Sequence, residues 1–229
     1  MKWVLSVQNF IIVKRGFFIS PNLGGTACKR PIVRRLIFLY QMEVIGMDII
    51  YETLNAEFTP EALAQMREKK VIFESASQHE MKGRYSIVAF DYFGKVALDS
   101  DTLTIEYPDR IFKKSENPYE ELKVLLNKFK ADIEDPVLAD LPFVSGFVGS
   151  CSFDLVRHAF KKLQEIKVEN TTDDLLFYMV ESAYIFDHYK EKIHVITSNL
   201  FSGIDADELE DRLHSMVGEI KSIRLYHPE

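Results

Sequence analysis

The chain has 229 residues, 47% of them hydrophobic, and is long enough to bury a substantial core in one domain or two small ones. Its net charge is −7, but residues 1–46 carry +6 and the remainder carries −13. The acidic remainder lacks the clustered positive charge that nucleic-acid binding needs. No run of about 18 apolar residues occurs, which argues against a membrane-spanning helix.

Two cysteines, Cys28 and Cys151, are too few and too far apart to indicate a disulfide framework or a metal site. This usage favours a reducing compartment, and we expect a cytoplasmic protein. Cys151 has no histidine or other metal-ligating partner at useful spacing, so we interpret it as a small buried apolar residue.

The composition changes near Met47, where a basic segment without a clear period gives way to regular alternation. We therefore predict an N-terminal extension over residues 1–46 and a folded domain over residues 47–229. Three interpretations of the extension stay open: a weakly ordered segment, translated sequence upstream of a start at Met47, or a basic arm that uses KRPIVRR. Its first residues begin like a signal peptide, but Gln8 and Asn9 interrupt the apolar run and no A-x-A cleavage pattern follows.

The first half of the domain predicts strands and two helices. Strands are expected at MDIIYETL, VIFESA, YSIVAFDY and, as a hairpin, at KVALD and LTIEY. Thr59 and Pro60 predict the start of a short helix that ends at the cations Arg67, Lys69 and Lys70. Asn117 and Pro118 predict the start of the clearest helix, with Leu122, Leu125, Leu126 and Phe129 as its apolar stripe.

The second half predicts a strand at FVSGFVGS, where Gly146 and Gly149 indicate close backbone packing or a bulge. Two or three more strands are expected in DLLFYMVESAYIFDHY and KIHVITSN, and a final helix begins near Asp205 and Glu208. Regular crossover helices do not separate the strands, which disfavours a parallel sheet. We predict an α+β fold, with mostly antiparallel sheets packed as a sandwich and a few flanking helices.

Polar residues lie at the ends of two predicted strands. Glu74 and Ser75 end one strand, and Arg84 and Tyr85 begin the next. Such a set suits a zwitterion, because Glu74 would bind its ammonium group and Arg84 its carboxylate. From the residues alone, an ordinary salt bridge or solvated charges are the more common outcome.

Four segments in order, FESA, GRYSIVAFD, FVSGFVGSCSFDLVR and DLLFYMVESAYIFDHYKEKIHVIT, resemble the N-terminal domain of anthranilate synthase component I. The resemblance covers most of residues 47–197. In that family the Glu-Ser pair and the basic residue of the following strand help form the tryptophan feedback site. The resemblance therefore implies an L-tryptophan effector site at Glu74, Ser75, Arg84 and Tyr85.

The resemblance also implies partner domains and the absence of the catalytic part from this chain. In the family, the chorismate-binding catalytic domain, with its Mg²⁺ ligands, follows this domain, and a glutamine amidotransferase subunit supplies ammonia. This sequence ends at Glu229 before such a segment, so we expect no catalytic residues, no cofactor in this chain and no anthranilate formation by it alone. One departure from the family is Ser150 and Cys151, where a glycine and a tyrosine are usual.

Two other functions stay open. The large subunit of aminodeoxychorismate synthase shares the same fold, and the GRYS form favours the tryptophan enzyme only modestly. A stand-alone amino-acid-binding or interaction module is the alternative from a different class. Asp187 and His188 invite a catalytic interpretation, but no nucleophile or orienting group is near them in sequence, so we predict that they mark a turn between strands.

Overall fold

Antiparallel strands form the framework of the protein in a computed structural model that describes residues 10–12, 47–68, 70–74, 84–99, 101–129, 133–164 and 173–226. The strands are β1 (Phe10–Ile12), β2 (Ile49–Asn55), β3 (Lys70–Glu74), β4 (Tyr85–Phe90), β5 (Gly94–Asp99), β6 (Thr102–Glu106), β7 (Ile111–Lys114), β8 (Gly146–Cys151), β9 (Leu175–Val180), β10 (Ser182–Asp187) and β11 (Lys192–Ser198). The helices are α1 (Pro60–Ala64), α2 (Pro118–Lys128), α3 (Pro136–Asp140), α4 (Val156–Ala159), α5 (Lys161–Gln164) and α6 (Ala206–Tyr226), with a 3-10 turn at Phe153–Leu155.

The strands form two sheets in which every described pairing is antiparallel. One sheet has the order β1-β8-β9-β5-β6-β7, and the other has the order β2-β11-β10-β4-β3. We call them the six-stranded and the five-stranded sheet. The prediction of an α+β fold with antiparallel sheets is confirmed, as is the hairpin of β5 and β6.

Three apolar clusters show that the sheets and helices form layers. The first lies between the five-stranded sheet and helices α1 and α6, and includes Val88, Tyr184 and Val217. The second lies between the two sheets, and the third covers the other face of the six-stranded sheet, where Leu122 and Leu125 of α2 are fully buried. The alternating strands therefore bury residues on both of their faces, as a sandwich with helices outside requires.

The glycines of β8 explain how closely its neighbours approach. A Cβ atom on Gly149 would lie 1.9 Å from the carbonyl oxygen of Leu176 on β9, so no larger residue fits without separating the strands. Gly146 has a φ of 139°, which residues with side chains rarely adopt. The predicted close packing is confirmed at Gly149, whereas at Gly146 a Cβ atom would have space and the φ angle is what favours glycine.

Several helix boundaries differ from the prediction. Thr59 and Pro60 do begin α1, but the helix ends at Ala64, so Arg67 and Lys70 are not part of it, and Lys69 lies outside the described residues. Lys70 instead begins β3, and its ammonium group donates to the carbonyl oxygen of Ala64 at 2.7 Å. The expected interaction of a cation with the end of this helix thus comes from the following strand.

Helix α3 and strand β7 are among the elements that were not predicted. Helix α3 begins at Pro136, where the Asp135 carboxylate accepts hydrogen bonds from the amides of Val137 and Leu138 at 2.8 and 3.0 Å. Strand β7 extends the edge of the six-stranded sheet. The predicted starts of the two longer helices are confirmed, because α2 follows Asn117 and the Asp205 carboxylate accepts the Glu208 amide at 3.0 Å. In the described ranges no helix has the length and apolarity needed to cross a membrane.

Candidate functional site

The predicted effector residues lie at one end of the five-stranded sheet. Glu74 is the last residue of β3 and pairs in register with Ser86 of β4, so the backbone ends of both strands are adjacent. Ser75 and the side chain of Glu74 lie outside the described part of the structure. Arg84 and Tyr85 enter β4 at the same end. The structure therefore brings the backbone of three predicted residues together and describes two of their side chains.

Arg84 forms a two-pronged ion pair with Asp187, the last residue of β10. Its Nε donates to Oδ1 at 3.1 Å and its Nη2 donates to Oδ2 at 2.7 Å. Asp187 has only 1% of its side chain exposed, whereas Arg84 has 27% exposed. The ordinary salt bridge weighed from the sequence is therefore present, and its partner lies 103 residues away.

The same guanidinium group contacts α3 and an aromatic ring. Nη2 of Arg84 also donates to Oδ2 of Asp140 at 3.3 Å, and Cζ lies 4.6 Å from the centre of the Tyr85 ring. Within the described residues, Nη1 of Arg84 has no hydrogen bond. This end of the sheet thus presents one cationic donor group above an aromatic face.

Electrostatics fix the protonation states of these groups at neutral pH. Burial alone would raise the pKa of the Asp187 carboxyl, but the Arg84 hydrogen bonds and the Lys190 amide lower it. Hydrogen bonding to Asp187 raises the pKa of Arg84. Burial, with the negative charge of Asp187 nearby, raises the pKa of Tyr85 to about 12. The site therefore holds an ionised pair and a neutral phenol, which suits binding rather than proton transfer.

Asp187 and His188 do mark a turn. Oδ1 of Asp187 accepts the backbone amides of Tyr189 and Lys190, both at 3.1 Å, in the turn that leads to β11. The His188 amide donates to the carbonyl oxygen of Arg84 at 2.9 Å. The sequence prediction of a turn is confirmed, and Asp187 has the additional role of holding Arg84.

Two histidine contacts were not visible in the sequence. His188 Nε2 lies 2.7 Å from Oγ of Ser86, and His194 Nδ1 lies 2.9 Å from Oγ1 of Thr53. A Ser-His contact is one element of a nucleophilic site, but Ser86 is only 5% exposed, so a substrate has no path to its oxygen. Burial lowers the pKa of His194, so its ring is neutral near pH 7. Both contacts are structural hydrogen bonds.

A second polar cluster joins α4 to the start of β9. The fully buried carboxylate of Asp174 lies 2.6 Å from Nη2 of Arg157 and 2.9 Å from Nε2 of His158. Burial opposes ionisation, but the bonds from His158 and Arg157 hold the pKa of Asp174 below its usual value. The cluster anchors the helical segment that covers the six-stranded sheet.

Cys151 lies at the end of β8 against the cluster that packs on α2. It forms no disulfide, and burial raises the pKa of its thiol to about 12. A protonated, partly buried thiol that packs on apolar residues agrees with its interpretation as a small apolar residue. Among the residues that the structure describes, no three His, Cys, Asp or Glu side chains are grouped to hold a metal ion.

Known proteins are similar to this chain over part of their sequences. Anthranilate synthase component 1 of Lactococcus lactis subsp. lactis (strain IL1403) is 34% identical over 149 residues, which are 65% of this chain and 31% of that protein. Aminodeoxychorismate synthase component 1 of Bacillus subtilis (strain 168) is 30% identical over 159 residues, 68% of this chain and 31% of that protein. No protein-family profile matches the chain.

A solved structure is also similar. The crystal structure of anthranilate synthase component I from Streptococcus pneumoniae TIGR4 has a TM-score of 0.49 and 27% sequence identity, and the match covers 74% of this chain and 37% of that one. The chain thus spans about a third of the length of the curated relatives it matches, which is 31% for each of the two named above.

Proposed function

We propose that the chain is the regulatory and scaffold domain of an enzyme like anthranilate synthase component 1, to which its sequence is similar. In this proposal it carries part of the site for L-tryptophan and forms no anthranilate by itself. The observation that carries the proposal is the 34% identity over 149 residues. The proposed partners are a chorismate-binding domain, where Mg²⁺ would be held, and a glutamine amidotransferase subunit, all in the cytoplasm.

The geometry of Arg84 supports a carboxylate site. Its Nη1 group is without a partner in the described part of the chain, and the Tyr85 ring lies beneath the guanidinium. A ligand carboxylate that approaches this group gains a charge-assisted hydrogen bond without breaking the pair with Asp187. Glu74 and Ser75, carried over from the family, would bind the ammonium end of the amino acid.

Calorimetry with L-tryptophan tests the proposal on the full chain. We expect weak binding that tightens when a separately expressed chorismate-binding domain is added, because the family's site takes residues from both. Ser75→Ala should abolish the heat signal, and Ser115→Ala, which changes an exposed serine at the edge of the six-stranded sheet, should leave it unchanged. No heat of binding, either with the chain alone or with the chorismate-binding domain added, would contradict the tryptophan site.

A growth experiment tests the expected lack of activity. The chain alone should not restore growth of a tryptophan auxotroph without anthranilate synthase component I. Growth without tryptophan would show that the chain performs the reaction itself, and the proposal would then be wrong.

Aminodeoxychorismate synthase is the second candidate, because its component 1 from Bacillus subtilis is 30% identical to this chain over 159 residues. The two candidates differ in the pathway that the complete enzyme would serve. Addition of the chain to extracts that contain the amidotransferase and chorismate-binding parts of each enzyme distinguishes them. Under the first proposal, only the anthranilate-forming mixture gains sensitivity to tryptophan.

A further inference from the structure

A cavity lies at the other end of β4, away from Tyr85. Its volume is about 360 Å³, and it forms where the chain passes twice between the sheets. The first passage is Asp91–Phe93, from β4 to β5, and the second is Glu181, from β9 to β10. Helix α6 lies beside it and contributes Arg212, among others. We call this space the crossover cavity.

Arg212 is held on one side by a buried carboxylate. Its Nη1 donates to Oε2 of Glu181 at 2.8 Å, and Glu181 is 5% exposed. Oε1 of Glu181 accepts the amides of Phe201 and Ser202 at 2.7 and 2.6 Å, so both carboxylate oxygens are engaged. Glu181 is therefore a fixed support for Arg212 and not a free acid.

The other side of the Arg212 guanidinium is open. In the described part of the chain, its Nε and Nη2 groups have no hydrogen bond, and 31% of the side chain is exposed. Nε and Nη2 form the parallel pair of donors that matches the two oxygens of a carboxylate. In Arg84 the same pair is occupied by Asp187. Of these two arginines, Arg212 is therefore the one whose paired donors are available to a ligand carboxylate.

The remaining charged groups of the cavity bond one another. Arg67 bonds both Asp91 and Glu219, and the Tyr184 hydroxyl donates to the second oxygen of Glu219 at 2.7 Å. Aromatic rings complete the lining, since Phe90, Tyr92 and Phe93 border the same space. A cavity with this composition offers one bidentate donor pair beside an apolar wall.

We propose that the crossover cavity binds a small aromatic monocarboxylate, with its carboxylate on the Nε and Nη2 edge of Arg212 and its ring against the aromatic wall. The lining holds two guanidinium groups and three carboxylates, so a single ligand charge must be bound by the paired donors of Arg212, and a phosphate dianion is repelled more strongly. The two ends of β4 are about 17 Å apart at the usual rise per residue. The cavity is therefore separate from the proposed tryptophan site, and either site is testable without the other.

Titration of the full chain with benzoate, followed by NMR of the backbone amides, tests this proposal. A dissociation constant on the order of 1 mM is expected for so small a ligand, with shifts in α6 and at residues 90–93. Benzamide has the same shape without the charge and should bind at least about tenfold more weakly. Equal binding of both probes, or no benzoate binding up to about ten times that concentration, would overturn the proposal.

Two variants locate the site. Arg212→Lys keeps a cation for Glu181 but removes the paired donors, and should weaken benzoate binding about tenfold. Ser215→Tyr fills the cavity from an exposed position of α6 without touching the Glu181 contact, and should abolish binding. Arg110→Lys changes an exposed arginine that does not line the cavity, and as the matched control it should leave the benzoate affinity unchanged. Unchanged benzoate binding in Ser215→Tyr would show that the cavity is not the site.

Discussion

The two ends of β4 use arginine in opposite ways. At the Tyr85 end, Arg84 gives its paired Nε and Nη2 donors to the buried Asp187 and keeps only Nη1 for other contacts. At the Phe90 end, Arg212 gives Nη1 to the buried Glu181 and keeps the paired donors. An arginine near a cavity is thus not by itself a ligand site, because the edge that a protein carboxylate occupies decides what remains for a ligand.

The largest expected effect is loss of the buried carboxylate that supports Arg212. Glu181→Ala removes the acceptor of two backbone amides and leaves the guanidinium without its partner, and should lower the free energy of unfolding by about 3–5 kcal/mol. Urea denaturation measures this decrease in the free energy of unfolding. Asp140→Ala is the control at the other end, where the carboxylate is 56% exposed, and should cost less than about 1 kcal/mol. Equal losses would contradict the assignment of Glu181 as an anchor.

Asp187→Asn should have the next largest effect, about 2–3 kcal/mol, since Arg84 loses its ionic partner but remains partly hydrated. The asparagine oxygen can still accept the amides of the β10–β11 turn. Asp91→Asn is the matched control, because Asp91 pairs with Arg67 at the Phe90 end but is 70% exposed, and should cost less than about 1 kcal/mol. An equally large loss of stability in Asp91→Asn would contradict the claim that a buried ionic partner contributes more than an exposed one.

Acid should weaken the Tyr85 end of the sheet through Asp187. The folded pKa of Asp187 is lowered, so its contribution to stability is complete above its unfolded pKa, about 3.9, and is lost as the pH falls through the folded pKa. Unfolding free energies measured from pH 6 to pH 2 should therefore fall more steeply for the parent than for Asp187→Asn. Asp174, whose pKa is also lowered, supplies part of the remaining slope. Identical slopes for the parent and the variant would show that Arg84 does not lower the pKa of Asp187.

The two tyrosines offer a comparison with a smaller effect. The Tyr184 hydroxyl is buried and donates to Glu219 at 2.7 Å, so Tyr184→Phe should cost about 1.5 kcal/mol. The Tyr85 hydroxyl is buried and interacts only weakly with the exposed Asp140 carboxylate, without a hydrogen bond of standard geometry, so Tyr85→Phe should cost less than Tyr184→Phe. Thermal unfolding of both variants checks the difference. The reverse order would mean that Tyr85 has a partner in the segment that the structure does not describe.

The smallest expected difference comes from replacing each arginine by lysine. Arg84→Lys loses the bidentate pair with Asp187 and should cost about 1 kcal/mol, whereas Arg212→Lys keeps its single contact with Glu181 and should cost about half as much. Chemical denaturation of both variants under one condition is sufficient. A larger loss in Arg212→Lys would indicate that its second edge already has a partner within the protein.

The sequence predicted much of the fold because alternation along the strands is a local signal. Strands β5 and β6 and the start of α2 at Pro118 follow from such patterns. Helix α3 was missed although Asp135 and Pro136 give the same start signal as Thr59 and Pro60 of the equally short α1. The division of residues 1–46 from 47–229 stays a prediction, although the three residues Phe10–Ile12 pair with β8.

The candidate site was less accessible from the sequence, because its contacts join distant positions. Arg84 was identified through its motif, but its partner Asp187 lies 103 residues later and the sequence indicated only a turn there. Arg212 lies on α6 in no recognised motif, and its open edge follows from a contact with Glu181 31 residues earlier. The roles of Glu74, Ser75, Arg84 and Tyr85 in effector binding stay predictions.

An NMR titration of the full chain with L-tryptophan tests the central claim most directly, because it locates the effector on one end of β4 or the other. The account predicts that the amides of Arg84, Tyr85 and the β10–β11 turn shift in proportion to bound tryptophan, and that Ser75→Ala suppresses these shifts. Shifts confined to the crossover cavity, or none at millimolar tryptophan with the chorismate-binding domain present, would contradict the account.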